Sequence, residues 1–209
     1  MTSNGSKRVV LIACLFPGPL FQLVGDTLWK MHTYDYSWNL WREVSYIFFI
    51  PAGLLFAKMI EQKSFAWAMI SCALFVTGCI GCVAMMPLFR LGAFYPTKGN
   101  NAFPVIVSSV LDKKLFAVTI YPLGLCFPVS LVVFGIAFLR YRTFSTVVNI
   151  AFILSGVLFW LGNAGEIDSL LIIGDGLLLC LFCYVGYLMF GKSEDLITGS
   201  NGPYGTTSS

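Results

Sequence analysis

Residues 66–89 read AWAMISCALFVTGCIGCVAMMPLF, an apolar run with no charged residue. As a helix rising 1.5 Å per residue, such a run is about 36 Å long and crosses a hydrocarbon core of about 30 Å. It is too long and too evenly apolar for one face of a soluble helix, which would alternate with polar residues every turn. The same reading extends to both sides. Lys58 and Lys63 precede the run, Arg90 follows it, and apolar segments recur at 9–29, 40–60, 115–139, 145–163 and 168–190. The sequence therefore predicts an all-α polytopic membrane protein of about six transmembrane helices in a bundle, with residues 1–192 as one domain. The tail 193–209 is rich in Gly, Ser and Thr without periodicity and is expected to be disordered.

Composition agrees with lipid as the main partner. Of 209 residues, 57% are hydrophobic and 11% charged, with mean hydropathy +0.81, against about 25% charged in soluble domains. The net charge of +3 is spread over loops and ends, so no nucleic-acid surface is expected. Lys7 and Arg8 precede the first apolar run, but Pro17, Gly18 and Pro19 follow without a small-x-small cleavage site, so an uncleaved first span is expected. Basic loops after spans two and four, and none in the loop after span five, place both termini on the cytoplasmic side. Tyr34, Tyr36, Trp38 and Trp41 then form an interfacial belt on the outer side. The stretch AFPVIVSSVL at 102–111 is too short to span and is expected to lie on the outer face.

Prolines fall inside spans one (Pro17, Pro19), two (Pro51), three (Pro87) and four (Pro122, Pro128), where each tends to kink its helix. Ala73, Thr77 and Gly81 form a stripe of small residues on span three that suits close packing.

Acidic residues carry the functional signal, because an Asp at a span centre costs about 2.5–3.5 kcal/mol on insertion scales. Asp26 lies in LVGDTL near the end of span one, and Asp175 in IIGDGL near the start of span six. The two spans run in opposite directions, so both carboxyls fall in the outer half of the membrane. Gln22 lies one turn before Asp26, Arg42 and Glu43 enter at the top of span two, and Glu166 and Asp168 lie at the mouth of span six. His32 belongs to the same side. If spans one, two and six touch, these residues form an outward-facing acidic pocket for a small cation, an amine or a lipid headgroup, with Arg42 as counter-ion. The alternatives are a membrane enzyme, by thiol redox through Cys79 and Cys82 or by acid-assisted hydrolysis at the aspartates, and a structural or assembly subunit in which Asp26 and Asp175 pair within the bundle and hold no ligand. For Glu166 and Asp168 the alternative is complementing the helix dipole.

Other chemistries find less support. Intramembrane aspartyl proteases carry Gly-x-Gly-Asp, and Ile172 stands where the first Gly would be. Cys79 with Cys82 and Cys180 with Cys183 each share a helix face. Zinc binding or thiol redox would need deprotonated sulfur in an apolar core, so packing is the expected role. A single His excludes bis-histidine haem and three-histidine zinc sites. No catalytic residue, metal or cofactor is assigned.

The segments FQLVGDTLW (21–29) and LWREVSYIFFIPAGLL (40–55) resemble a family of small multi-span membrane proteins with a Gly-Asp pair in the first span. The resemblance implies a shared helical bundle and carries no catalytic residue with it.

Overall fold

A computed structural model describes residues 14–31, 37–94, 121–165 and 167–191. The described residues form six helices and no strand: α1 Pro17–Lys30, α2 Ser37–Glu61, α3 Phe65–Phe94, α4 Tyr121–Tyr141, α5 Thr146–Ala164 and α6 Asp168–Gly191. The five helices α2 to α6 are long and apolar enough to cross a membrane. The described helix α1 has 14 residues, and the beginning of the first apolar segment lies outside the described residues, as do the stretch 102–111, His32 and the tail. The beginning of the fourth predicted span, 115–120, also lies outside them; elsewhere the observed ends fall within a few residues of the predicted spans, except that α3 continues past Pro87 to Phe94.

Each helix packs on the next in sequence, and α6 returns to pack on α1, so the six close into a ring. Short connections between α2 and α3, α4 and α5, and α5 and α6 suit this order, since antiparallel neighbours need only a few linking residues. The interior of the ring is filled by phenylalanine. Phe49 and Phe56 of α2 both meet Phe182 of α6, at ring separations of 5.7 and 5.0 Å. Phe49 also meets Phe127 of α4 and Phe75 of α3, at 5.1 and 6.2 Å. Phe152 of α5 lies 5.4 Å from Phe56. Most of these pairs are edge-to-face or tilted, the arrangement the ring quadrupoles favour. The outward face is apolar too: Ile47, Leu54, Ile70, Ile80, Ile150 and Ile173 are each more than half exposed. A bundle apolar on both sides suits lipid rather than water.

Glycine sets the closeness of the helices. A Cβ on Gly78 would fall onto the backbone of Phe127, and one on Gly81 would lie 2.6 Å from the Leu123 carbonyl carbon, so α3 and α4 meet backbone to backbone. Ala73 of the predicted stripe is exposed, whereas its Gly81 carries the contact together with Gly78, one turn away. Pro17 stands at the first position of α1, and Pro19 follows within the first turn. Neither removes an intrahelical hydrogen bond there, so both prolines begin the described helix and do not kink it. Pro51, Pro87 and Pro128 are inside their helices as expected.

At one end of the bundle the α2–α3 and α4–α5 turns are joined by Lys63, whose Nζ donates to the Tyr141 carbonyl at 2.6 Å. Exposed Lys58, Arg140 and Arg142 are at the same end, with the Arg140 guanidinium 6.0 Å from the Trp67 and Tyr141 rings. Glu61 ends α2 at this same end, whereas Asp26, Glu43, Asp168 and Asp175 lie toward the opposite end, where α1 and α5 finish and α2 and α6 begin.

Candidate functional site at the α1, α2 and α6 junction

The buried residues of α1 are Gly18, Pro19, Gln22, Gly25 and Asp26. A helix with this inward face has no large apolar side chain to bury. In lipid it docks by close approach and hydrogen bonding. Gly25 permits the approach to α2: an added Cβ would lie 2.6 Å from Arg42 Cγ, 3.0 Å from the Trp38 carbonyl oxygen and 3.2 Å from the Arg42 nitrogen. The glycine of the first Gly-Asp pair therefore seats Arg42 beside the aspartate that follows it.

Arg42 Nε lies 2.8 Å from Asp26 Oδ1, with side-chain exposures of 11% and 1%. The two atoms do not meet hydrogen-bond angles, so this is an ion contact more than an aligned hydrogen bond. Gln22 Nε2, one helical turn back on the same face, donates to Asp26 Oδ2 at 3.1 Å. Gln22 Oε1 in turn accepts from the Ser45 hydroxyl at 2.7 Å, and the Arg42 carbonyl is a second acceptor for that hydroxyl at 2.6 Å. This chain of contacts ties α1 to α2 through one acidic, one basic and two neutral side chains.

Asp175 enters from α6. It is fully buried, and neither of its carboxyl oxygens has a hydrogen-bond donor among the described residues. Its carboxyl faces that of Asp26 within reach of a hydrogen bond, should a proton lie between them, and Arg42 is close enough to interact with both. Tyr46, one turn beyond Arg42 on α2, is buried, close enough to the guanidinium and to Cys82 of α3 to interact with both. Described α5 carries no titratable side chain.

Four of the seven predicted site residues, Gln22, Asp26, Arg42 and Asp175, come together. They form a buried cluster, where an outward-open pocket was expected: Gln22, Asp26 and Asp175 are at most 2% exposed. Glu43 is half-buried next to Arg42 in sequence, a step of about 100° around the helix. Asp168 stands in the first turn of α6, half-buried and two turns from Asp175, where a negative charge complements the helix dipole. Glu166 lies outside the described residues. Sequence reading missed Ser45, Tyr46 and Cys82. The first two follow Arg42 by three and four residues, the spacing that keeps side chains on one helix face, and that signal was present.

The cysteine pairs do not converge. Cys79 and Cys82 are buried in α3, and the Cys82 thiol points at the Gly124 carbonyl at 3.8 Å. Cys180 and Cys183 are exposed on α6, which has no packing interface with α3.

The contrast between two glycines gives a first prediction. Gly25→Ala is expected to lower the unfolding midpoint in detergent, at a cost of about 1–3 kcal/mol for overpacking, because its Cβ meets backbone atoms of α2. Gly176, next to Asp175, has nothing within 4 Å of an added Cβ. Gly176→Ala is therefore expected to leave the midpoint unchanged or raise it slightly, alanine being the better helix former by about 1 kcal/mol. Equal responses of the two variants would mean that α1 does not approach α2 through Gly25.

The fold and the cluster define a multi-pass helical bundle with a buried carboxyl pair and one guanidinium at one end. No family model, curated protein or solved structure matches the chain.

Proposed function

We propose that this chain binds, and in the membrane moves or senses, a small cation, an amine or a lipid headgroup at the Asp26–Asp175 pair. One observation carries the reading: Asp175 is fully buried without a hydrogen-bond donor, facing an aspartate already engaged by Arg42. Buried charges are kept in membrane helices only when something compensates them. With both carboxyls ionised, one guanidinium leaves a single negative charge, and either a proton shared by the pair or an occupant with one positive charge balances it. With the acidic end outside, as the loop charges predict, that occupant arrives from the outer leaflet. The basic rim of Lys58, Lys63, Arg140 and Arg142 at the other end fits the same orientation.

The test is the unfolding midpoint of the purified protein in detergent with sodium, potassium, methylammonium and ethanolamine in turn, beside Asp175→Asn. At a hundredfold excess over its dissociation constant a ligand stabilises by about 2.7 kcal/mol, a rise of roughly 5–10 °C for a chain of this size. The rise is expected in the natural protein and absent from Asp175→Asn. If no probe raises the midpoint, or all raise both proteins equally, the reading fails.

A second reading is favoured by the Gln22, Ser45 and Arg42 contacts, which join α1 to α2 with every member engaged. In that reading the cluster is a helix-joining device of a structural or assembly subunit. Asp175→Asn then changes stability and no ligand shifts either protein.

A further inference from the structure

The Asp26–Asp175 pair lacks one positive charge, and a proton needs no cavity to supply it. We propose that the pair is a proton-binding site, in which a proton carried by Asp175 is donated to ionised Asp26 and joins α6 to α1. The inference rests on the same residues as the binding reading and names a proton as their resident occupant, so that any other cation binds there only by displacing it.

The donors around each carboxyl decide which one is charged. Asp26 has the Arg42 guanidinium 2.8 Å from Oδ1 and the Gln22 amide 3.1 Å from Oδ2. Both partners suit a carboxylate, since a cation and an N–H donor each stabilise negative oxygen. Asp175 has neither: it is fully buried, and its two oxygens are without a donor among the described residues. An ionised carboxyl there would be uncompensated, whereas the acid is neutral and brings its own O–H donor. The Asp26 oxygens keep lone pairs to accept that donor, because a carboxylate offers about four acceptor sites. The two carboxyls face each other within hydrogen-bond reach, and like charges that close share one proton instead of ionising together.

The surroundings supply no other charge to take the proton's place. Helix α6 packs on α5 and α1. Described α5 carries no titratable side chain. Helix α1 contributes Asp26, its other charged residue Lys30 being exposed at the helix end. From α2, whose Phe49 and Phe56 meet Phe182 of α6, Arg42 interacts with Asp175. With the proton in place Arg42 balances Asp26 and Asp175 is neutral. Without it two negative charges meet one positive, and α6 loses its hydrogen bond to α1. Proton release therefore loosens the contact that closes the ring.

Infrared spectroscopy of the full chain in nanodiscs tests this, because a protonated carboxyl has a carbonyl stretch distinct from that of a carboxylate and sensitive to heavy water. One such band is expected in the natural protein at neutral pH, lost on raising the pH, and this readout needs no variant. The band is expected to be absent from Asp175→Asn. It is expected to vanish from Asp26→Asn as well, where Asp175 is left as the carboxyl beside Arg42 and takes the charge. A band that persists in Asp26→Asn belongs to a carboxyl protonated by burial alone and overturns the shared site, as does a natural protein without the band. Above about pH 4, where a free carboxyl ionises, the folded chain holds one proton more than the unfolded one. Its folding constant relative to Asp175→Asn is then expected to fall about tenfold per pH unit until the site itself titrates, and a flat ratio overturns the proposal. A band without a midpoint rise from any added cation leaves the proton site standing and sinks the cation reading. A cation-dependent rise without the band does the reverse.

Discussion

Arg42→Met is expected to lower the unfolding midpoint in detergent by about 10 °C, the largest loss of any single polar substitution in the bundle. Removing one partner of a buried ion pair costs about 3–5 kcal/mol, because the other charge is left uncompensated, and for a chain of this size each kcal/mol is worth about 2–4 °C. The estimate applies here because Asp26 is 1% and Arg42 11% exposed, so little solvent screens them. Among the described residues Arg42 is also the cation that interacts with both carboxyls, so its removal strands Asp175 as well. Replacing both members of the pair is expected to cost much less. The double variant Asp26→Asn with Arg42→Met should be more stable than Arg42→Met alone, and the double-mutant cycle should show coupling of about 1–3 kcal/mol. An unchanged midpoint in Arg42→Met, or strictly additive losses, would mean that the contact does not hold α1 to α2.

Phe49→Ala is expected to be nearly as damaging, by a different mechanism. Its ring is fully buried and meets Tyr46 of its own helix, Phe75 of α3, Phe127 of α4 and Phe182 of α6. It is therefore a shared contact of four helices at the centre of the ring. Lipid tails are as apolar as phenylalanine, so the loss is not a change of solvent but of packing and of the cavity left behind. Phe→Ala in a packed core costs about 3–5 kcal/mol, and the low end is expected here because the transfer contribution is small. Leu54→Ala, five residues along α2 but 53% exposed, is expected to change stability by less than about 0.5 kcal/mol. Resistance to heating before size-exclusion chromatography compares the two directly. If Leu54→Ala is as harmful as Phe49→Ala, α2 does not present the face described.

The two predictions concern the two halves of one helix. From Arg42 to Tyr46 the inward face of α2 is polar, and from Phe49 to Ile60 it is aromatic and aliphatic. The interior is thus a phenylalanine core closed at one end by a charged layer. The core can be packed by any apolar sequence of the right volumes. The charged layer tolerates few alternatives, because Gln22, Asp26, Arg42 and Ser45 each depend on another of its members.

Span number and position were legible in the amino-acid sequence, and the reason is solvent. A hydrocarbon core excludes charge over about 20 residues, so Lys58 and Lys63, Arg140 and Arg142, and the acids near 166–168 mark the helix ends. The aspartates were legible for the same reason, since carboxyls inside an apolar segment are costly wherever the segment packs. Which helices meet was not legible. Spans that are apolar on the lipid side and on the core side carry no strong periodic signal to say which face turns inward. Ring closure between α1 and α6, and the approach of α2 through Gly25, are therefore properties of the tertiary structure alone. Closure brings Asp175 to Asp26. The missing Cβ of Gly25 lets Arg42 reach both, and the same close packing buries a cluster that the linear order suggested would be open.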